Sequence, residues 1–174
     1  MSKVKIAIIG PESSGKTTLA HELALHYKCG FVEEHARSYL KSINRHYTFD
    51  DILEICRKQK EMEELAFRQT DSILICDSTA LTCQIWCEDK FQIANPEIDL
   101  QVKKDSYEMI LLCKPDIEWE PDPQREDENR RDHLFDVYQN KLLELGREFK
   151  VIEGIGNKRT KMAIMFVDQM LAEM

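Results

Sequence analysis

Eight consecutive residues near the start of the chain have the types and spacing that bind phosphate groups. They read Gly-Pro-Glu-Ser-Ser-Gly-Lys-Thr, from Gly10 to Thr17, and match the pattern G-x-x-x-x-G-K-[ST] at every fixed position. Gly10 and Gly15 allow successive backbone amides to point inward around an anion. Lys16 adds a mobile cation, and the hydroxyl of Thr17 is suited to ligate Mg²⁺. The stretch predicts a site for a nucleoside triphosphate with Mg²⁺.

The residues around this loop predict the elements that must position it. An apolar, β-branched run from Val4 to Ile9 indicates a buried strand, and residues 18–25 have the apolar spacing of a helix. A helix that begins directly after the loop adds its positive end to the phosphate site. The alternative is a chance match to a short pattern, and the strand and helix in the required order argue against it.

Strand-like and helical patterns alternate along the rest of the chain. We predict further strands at 31–34, 72–76, 107–113 and 149–153, and a final helix capped by Asn157. Such alternation predicts an α/β fold of three layers, α/β/α, with a parallel five-stranded sheet. Ligands of these sheets bind at the carboxyl ends of the strands. We therefore expect the functional residues to follow each strand.

Composition and charge narrow the possible classes of protein. The 174 residues predict a single domain that spans 1–174. A net charge of −8 argues against a nucleic-acid partner, which favours a basic surface. The sequence contains no apolar run of the roughly 20 residues that span a membrane. Six cysteines without a Cys-x-x-Cys pair are typical of reduced, buried thiols, so we expect a cytoplasmic protein.

The segment after the fourth strand favours a kinase among proteins with such a loop. Between Lys114 and Glu128 it holds three prolines and many charges, which predicts an exposed lid at about 115–131. A lid excludes water from the transferring phosphoryl group and can deliver Arg125 or Arg130 to its charge. The alternative is a solvated charged loop. A switch GTPase would require Asp-x-x-Gly after the third strand, where Ala80 stands in place of the glycine.

An ordered set of segments resembles one known family, the ribosylnicotinamide kinase domain of NadR-type proteins. The set comprises residues 10–19, 34–40, Ile-Cys-Asp-Ser at 75–78 before a helix with Trp86, residues 107–112 and 114–119, and Arg125-Glu126. The resemblance covers nearly the whole chain. It implies a P-loop nucleoside- or nucleotide-kinase-like fold and ATP-dependent phosphorylation of the 5′-hydroxyl of nicotinamide riboside, which gives nicotinamide mononucleotide for NAD salvage.

Alternatives to that function remain open at this point. Serine at position 78, histidine at 35 and the missing glycine before Arg125 depart from the family pattern. They leave nucleotide binding intact and leave open a kinase for another small nucleoside. A regulator that binds the nucleotide without transferring phosphate, or hydrolyses it slowly, is the alternative from another class.

Two carboxylates and two aromatic rings are candidates for the acceptor side. Asp77 can hold Mg²⁺ or accept the proton of the acceptor, or it can simply cap the next helix. Glu34 can bind the ribose or act as a general base, or it can be a surface carboxylate near Arg37. Trp86 and Tyr39 can stack on a flat pyridinium ring by cation–π attraction, or they can pack in the core.

The predicted site residues fall into four groups. Predicted catalytic residues are Lys16, Asp77, Glu34 and Arg125. Predicted contacts of the nucleotide are Gly10, Glu12, Ser13, Ser14, Gly15, Lys16, Thr17, Thr18, Arg130 and Asn157. Predicted contacts of the nucleoside substrate are Glu34, Arg37, Tyr39, Asp77 and Trp86. Predicted metal ligands are Thr17 and Asp77.

Overall fold

The computed structural model describes residues 3–174, which contain five strands and seven α-helices. The strands are β1 (Val4–Ile9), β2 (Gly30–Val32), β3 (Ile73–Asp77), β4 (Met109–Cys113) and β5 (Lys150–Ile152). The helices are α1 (Lys16–Tyr27), α2 (His35–Ser42), α3 (Phe49–Gln69), α4 (Ala80–Phe91), α5 (Pro96–Lys104), α6 (Arg131–Glu144) and α7 (Asn157–Ala172).

All strands pair in parallel, in the order β2-β3-β1-β4-β5. This confirms the predicted parallel five-stranded sheet. Successive residues of β1 are buried on opposite faces of the sheet, because side chains alternate along a strand. Ala7 and Ile9 pack with α3, α4, α5 and α6, whereas Ile6 and Ile8 pack with α1 and α7. The two cores give the predicted three layers, α/β/α.

The register of the sheet gathers the residues that follow its strands. Ile8 of β1 lies between Asp77 of β3 and Leu111 of β4. Val32 of β2 pairs with Cys76 of β3, so Glu34 lies beside Ser78 two residues further on. The phosphate loop, the end of β2 and the end of β3 therefore meet at one edge.

Helix ends follow the sequence in part. Thr48 and Asp51 form a capping box before α3, the arrangement that threonine with aspartate three residues later favours. The predicted cap of α7 is wrong: Gly156 occupies that position with φ 58°, and Asn157 is the first helical residue. A left-handed conformation favours glycine over asparagine there. Among residues 3–174, no helix is long and apolar enough to cross a membrane.

Candidate active site

A cavity of about 410 Å³ opens at the carboxyl ends of the strands. Five parts of the chain surround it: the phosphate loop, the residues after β2, one face of α4, the segment between β4 and α6, and α6 itself. The predicted site residues that line it are Gly10, Glu12, Ser13, Ser14, Gly15, Lys16, Thr17, Thr18, Glu34, Arg37, Trp86 and Arg125. A single cavity therefore brings together most of the residues that the sequence indicated.

The phosphate loop has the backbone shape that an anion site needs. Gly10 and Gly15 have φ of 145° and 78°, and a Cβ on Gly10 would lie 2.7 Å from the carbonyl oxygen of Cys113. Lys16 Nζ donates to the carbonyl of Pro11 at 2.8 Å, and Ser14 Oγ donates to the same carbonyl at 2.7 Å. The ammonium group is thus held inside the loop.

Asp77 lies fully buried beside this loop. The Thr17 hydroxyl donates to Asp77 Oδ2 at 2.6 Å, while the buried Oδ1 has no hydrogen-bond partner among residues 3–174. Burial and, next, the charge of Glu34 raise the pKa of Asp77 to about 6, although Lys16 and the Thr17 hydroxyl lower it. A hydroxyl next to a carboxylate with an unused oxygen is a donor set that suits Mg²⁺.

Two residues that we did not predict support Glu34, one at its carboxylate and one at the backbone amide that follows it. Ser78 Oγ lies 3.2 Å from Glu34 Oε1 and 3.1 Å from Thr82 Oγ1, and Ser78 has a φ of 75°. Gln59 Oε1 accepts the backbone N–H of His35 at 2.8 Å, directly after Glu34. A buried glutamine within the apolar stripe of α3 was the available signal for this support.

The segment between β4 and α6 folds onto the phosphate loop. Arg125 Nη1 lies 3.4 Å from Ser13 Oγ and also donates to the carbonyl of Glu120. Arg131 Nη1 donates to the carbonyls of Ser13 and Ile117, each at 3.0 Å. Both guanidinium groups lie over the ring of Trp119, at 6.0 and 5.6 Å from its centre. The segment therefore covers the loop with cationic side chains.

The aromatic side of the cavity differs from the predicted pair. Trp86 lines the cavity together with Tyr47, and their ring centres are 4.9 Å apart at 63°. Tyr47 Oη donates to Glu126 at 3.0 Å. Tyr39 is not among the lining residues; its hydroxyl donates to Asp51 at 2.7 Å. Tyr47 lies in the connection between α2 and α3, where no sequence pattern pointed to it.

Two predicted nucleotide contacts are not among the residues that line the cavity. Arg130 pairs with Asp89 and Asp127, and Asn157 is exposed at the start of α7. The structure places a different residue, Arg159, against the phosphate loop. Its guanidinium group is buried, donates to the carbonyl of Ser14 at 2.6 Å and pairs with Asp116. Position 159 carried no motif, so sequence reasoning missed it.

Known proteins are similar to this chain in fold and, at low identity, in sequence. A curated relative, the trifunctional NAD biosynthesis/regulator protein NadR of Salmonella typhimurium, is 23% identical over 147 residues, which cover 82% of this chain and 35% of NadR. A NadR crystal structure in complex with NR superposes with a TM-score of 0.86 at 22% identity, covering 96% of this chain and 51% of that one. A thymidylate kinase from Ehrlichia chaffeensis gives 0.69 at 14%, with coverages of 96% and 100%.

The chain spans about a third of the length of that curated relative. These likenesses confirm the predicted resemblance to NadR-type proteins and the P-loop kinase-like fold. A family model described as an AAA domain matches residues 5–159, which is most of the chain. The chain therefore belongs to the AAA domain family, and its phosphate-loop fold is related to part of the NadR proteins.

Proposed function

We propose that the protein is an ATP- and Mg²⁺-dependent nucleoside kinase whose leading acceptor is the 5′-hydroxyl of nicotinamide riboside. One observation carries the proposal: the phosphate loop, the Glu34 carboxylate and the Arg125-bearing lid line one cavity, with Asp77 directly behind it. A site that only binds a nucleotide would not need the Glu34 carboxylate and the lid around the same cavity. We also propose a single kinase domain with its lid at 115–131, in a reducing cytoplasm that suits six free thiols.

Thr17 and Asp77 are the residues that would hold Mg²⁺. The unpartnered Oδ1 of Asp77 supplies a hard oxygen ligand that no protein group uses. Mg²⁺ keeps several waters and phosphate oxygens in its shell, so one or two protein ligands suffice. When bound, the ion neutralises charge on the phosphate oxygens during transfer.

Two cations of the cavity act on the transferring phosphoryl group. Lys16 is held 2.8 Å from the carbonyl of Pro11, and a bound triphosphate offers the ammonium group a charged partner instead. Arg125, whose side chain is 15% exposed, supplies charge from the lid. Both groups stabilise a loose transition state whose negative charge spreads over three oxygens.

The opposite wall binds the acceptor. Glu34, fixed by Ser78 and by the neighbouring Gln59 bond, holds the ribose hydroxyls or takes the proton of the attacking one. Trp86, with Tyr47 as its neighbour, offers an aromatic face to the base. A positively charged pyridinium gains about 0.5–2 kcal/mol from such a face. Arg37 lies at the rim, 3.4 Å from Asp122.

An acceptor panel tests this function. ADP release should be measured with ATP and Mg²⁺ alone, and then with nicotinamide riboside, uridine or cytidine. We expect nicotinamide riboside to be phosphorylated with the highest kcat/KM. Equal rates with uridine or cytidine would indicate a kinase for small nucleosides in general. ADP release that no nucleoside stimulates would contradict the kinase and favour a nucleotide-binding regulator.

A further inference from the structure

The side chain of Glu12 reaches from the phosphate loop to the lid. Its Oε2 accepts two consecutive backbone N–H groups, from Glu126 at 2.8 Å and from Asp127 at 3.1 Å. Position 12 is a variable position of the phosphate-loop pattern, which does not require a carboxylate there. The phosphate-loop pattern therefore does not account for the contact between Glu12 and the lid.

The next residue of the loop contacts the lid as well. Ser13 Oγ accepts the backbone N–H of Glu120 at 3.0 Å and lies 3.4 Å from Arg125 Nη1. Ser13 has a φ of 49° and is buried, so its hydroxyl has a fixed position. Glu12 and Ser13 thus hold the lid at two separated points along its length.

Two hydrogen bonds from the lid partly offset the cost of burying the Glu12 carboxylate. Burial raises the pKa of Glu12, and the hydrogen bonds that it accepts from the backbone N–H groups of Glu126 and Asp127 lower it. A half-buried carboxylate is costly unless donors compensate it. Hydrogen bonds to an ionised acceptor are about twice as strong as neutral ones. Both donors are backbone groups, so the contact fixes the path of the lid rather than a mobile side chain.

We infer that Glu12 is a positioning residue that docks the lid onto the phosphate loop and so keeps water from the γ-phosphate. The inference rests on the proposed kinase function but does not depend on which nucleoside is the acceptor. When the lid is loose, water attacks the γ-phosphorus and the bond to the bridging oxygen of ADP breaks. The proton of the water leaves to solvent, and inorganic phosphate is released in place of a phosphorylated nucleoside.

Trypsin reports the docking directly, because it cuts the Arg125–Glu126 bond whose N–H binds Glu12. We expect cleavage there to be roughly tenfold faster in Glu12→Ala, which removes the acceptor oxygen. Glu12→Gln keeps an oxygen and should stay closer to the parent protein. Cleavage after Arg147, in the turn before β5, is the internal control for global unfolding. Equal cleavage after Arg125 in all three proteins would overturn the inference.

A backbone test separates the amide from the side chain of Glu126, which also contacts Tyr47 and Lys90. Glu126→Ala removes those contacts and keeps the N–H, whereas Glu126→Pro removes the N–H as well. We expect hydrogen exchange at the Asp127 amide to be faster in Glu126→Pro than in Glu126→Ala. If the two variants exchange at the same rate, the amide contact does not hold the lid.

The ratio of phosphate released to nucleoside phosphorylated tests the consequence for chemistry. We expect this ratio to rise several-fold in Glu12→Ala, and to rise more in Glu126→Pro than in Glu126→Ala. A ratio that stays constant while the overall rate falls would overturn a role in water exclusion. If no nucleoside is phosphorylated, the proposed kinase fails, yet the trypsin and exchange measurements still decide whether Glu12 docks the lid.

Discussion

Two buried carboxyl groups lie in different regions of the molecule and differ in what surrounds them. Asp77 is the last residue of β3 and lies behind the cavity. Glu63 lies in α3 and contacts Tyr107, a residue that comes just before β4. Asp77 is 0% exposed and Glu63 2%, and burial raises their pKa values to about 6 and about 7. Tyr107 donates to Glu63 at 2.8 Å, whereas Asp77 keeps a buried oxygen that no residue of the described chain, 3–174, hydrogen-bonds.

A raised pKa therefore reports the burial of a carboxyl group and does not by itself identify a functional one. Neither carboxyl lines the cavity itself. The unpartnered oxygen and the hydrogen bond from Thr17 of the adjoining phosphate loop distinguish Asp77. A substitution at Asp77 should therefore lower turnover. A substitution at Glu63 should change stability and leave turnover unaffected.

The largest effect is expected from Lys16→Ala. The variant loses the cation that follows the γ-phosphate into the transition state, so turnover should fall by about a factor of 1,000. The fold should persist, because the Lys16 side chain is only partly buried. Steady-state kinetics and circular dichroism check both statements. Normal turnover in this variant would contradict the assignment of the phosphate loop.

Asp77→Asn and Glu63→Gln form a matched pair of nearly isosteric changes. Asp77→Asn removes the charge that would hold Mg²⁺, and we expect turnover to fall roughly 100-fold and the Mg²⁺ requirement to rise. Glu63→Gln should leave turnover unchanged. Mg²⁺ titrations of activity measure both variants. Loss of turnover in Glu63→Gln would break the distinction between the two regions.

Glu63 should contribute to the pH dependence of stability in the parent protein, beside Asp77, whose raised pKa of about 6 acts in the same direction. A folded-state pKa of about 7 lies above the unfolded value of roughly 4.3, so folding favours the protonated carboxyl. That stabilisation is present below about pH 4 and is lost as the pH rises to about 7, by up to roughly 4 kcal/mol. Glu63→Gln should remove this loss, as urea unfolding at pH 5 and pH 8 would show. An unchanged pH dependence would contradict it.

The smallest effect is expected at the aromatic wall. Trp86→Leu keeps bulk and removes the ring, so KM for nicotinamide riboside should rise by a factor of about 2–30, equivalent to about 0.5–2 kcal/mol. KM for uridine should change less, because its base is neutral. Weaker binding of all acceptors alike, or loss of the fold, would instead make Trp86 a core residue.

Local signals predicted the nucleotide half of the site. The phosphate loop has a fixed spacing, and the strand and helix beside it have regular apolar periods, so Lys16 and Thr17 could be placed from sequence. The order of strands and helices then predicted that Asp77 and Glu34 each follow a strand of the sheet. These inferences required only periodicity and the rule that ligands bind at the carboxyl ends of strands.

Contacts between distant segments could not be predicted in the same way. Tyr47, rather than Tyr39, joins Trp86, because the path between α2 and α3 depends on tertiary packing. Arg159 reaches Ser14 across 145 residues of sequence, and no spacing rule links them. The cap of α7 was missed for a local reason, since Asn157 and Gly156 are both typical helix-terminal residues and only the backbone angle separates them.

The left-handed backbone of Ser78 has a consequence for attempts to stabilise the protein. A serine at φ 75° is strained, and glycine at that position would relieve the strain by roughly 1 kcal/mol. The same substitution deletes the hydroxyl that lies 3.2 Å from Glu34. Ser78→Gly would therefore relax the backbone while loosening the carboxylate that we assign to the acceptor, so the demands of backbone geometry and of the site oppose each other at this residue.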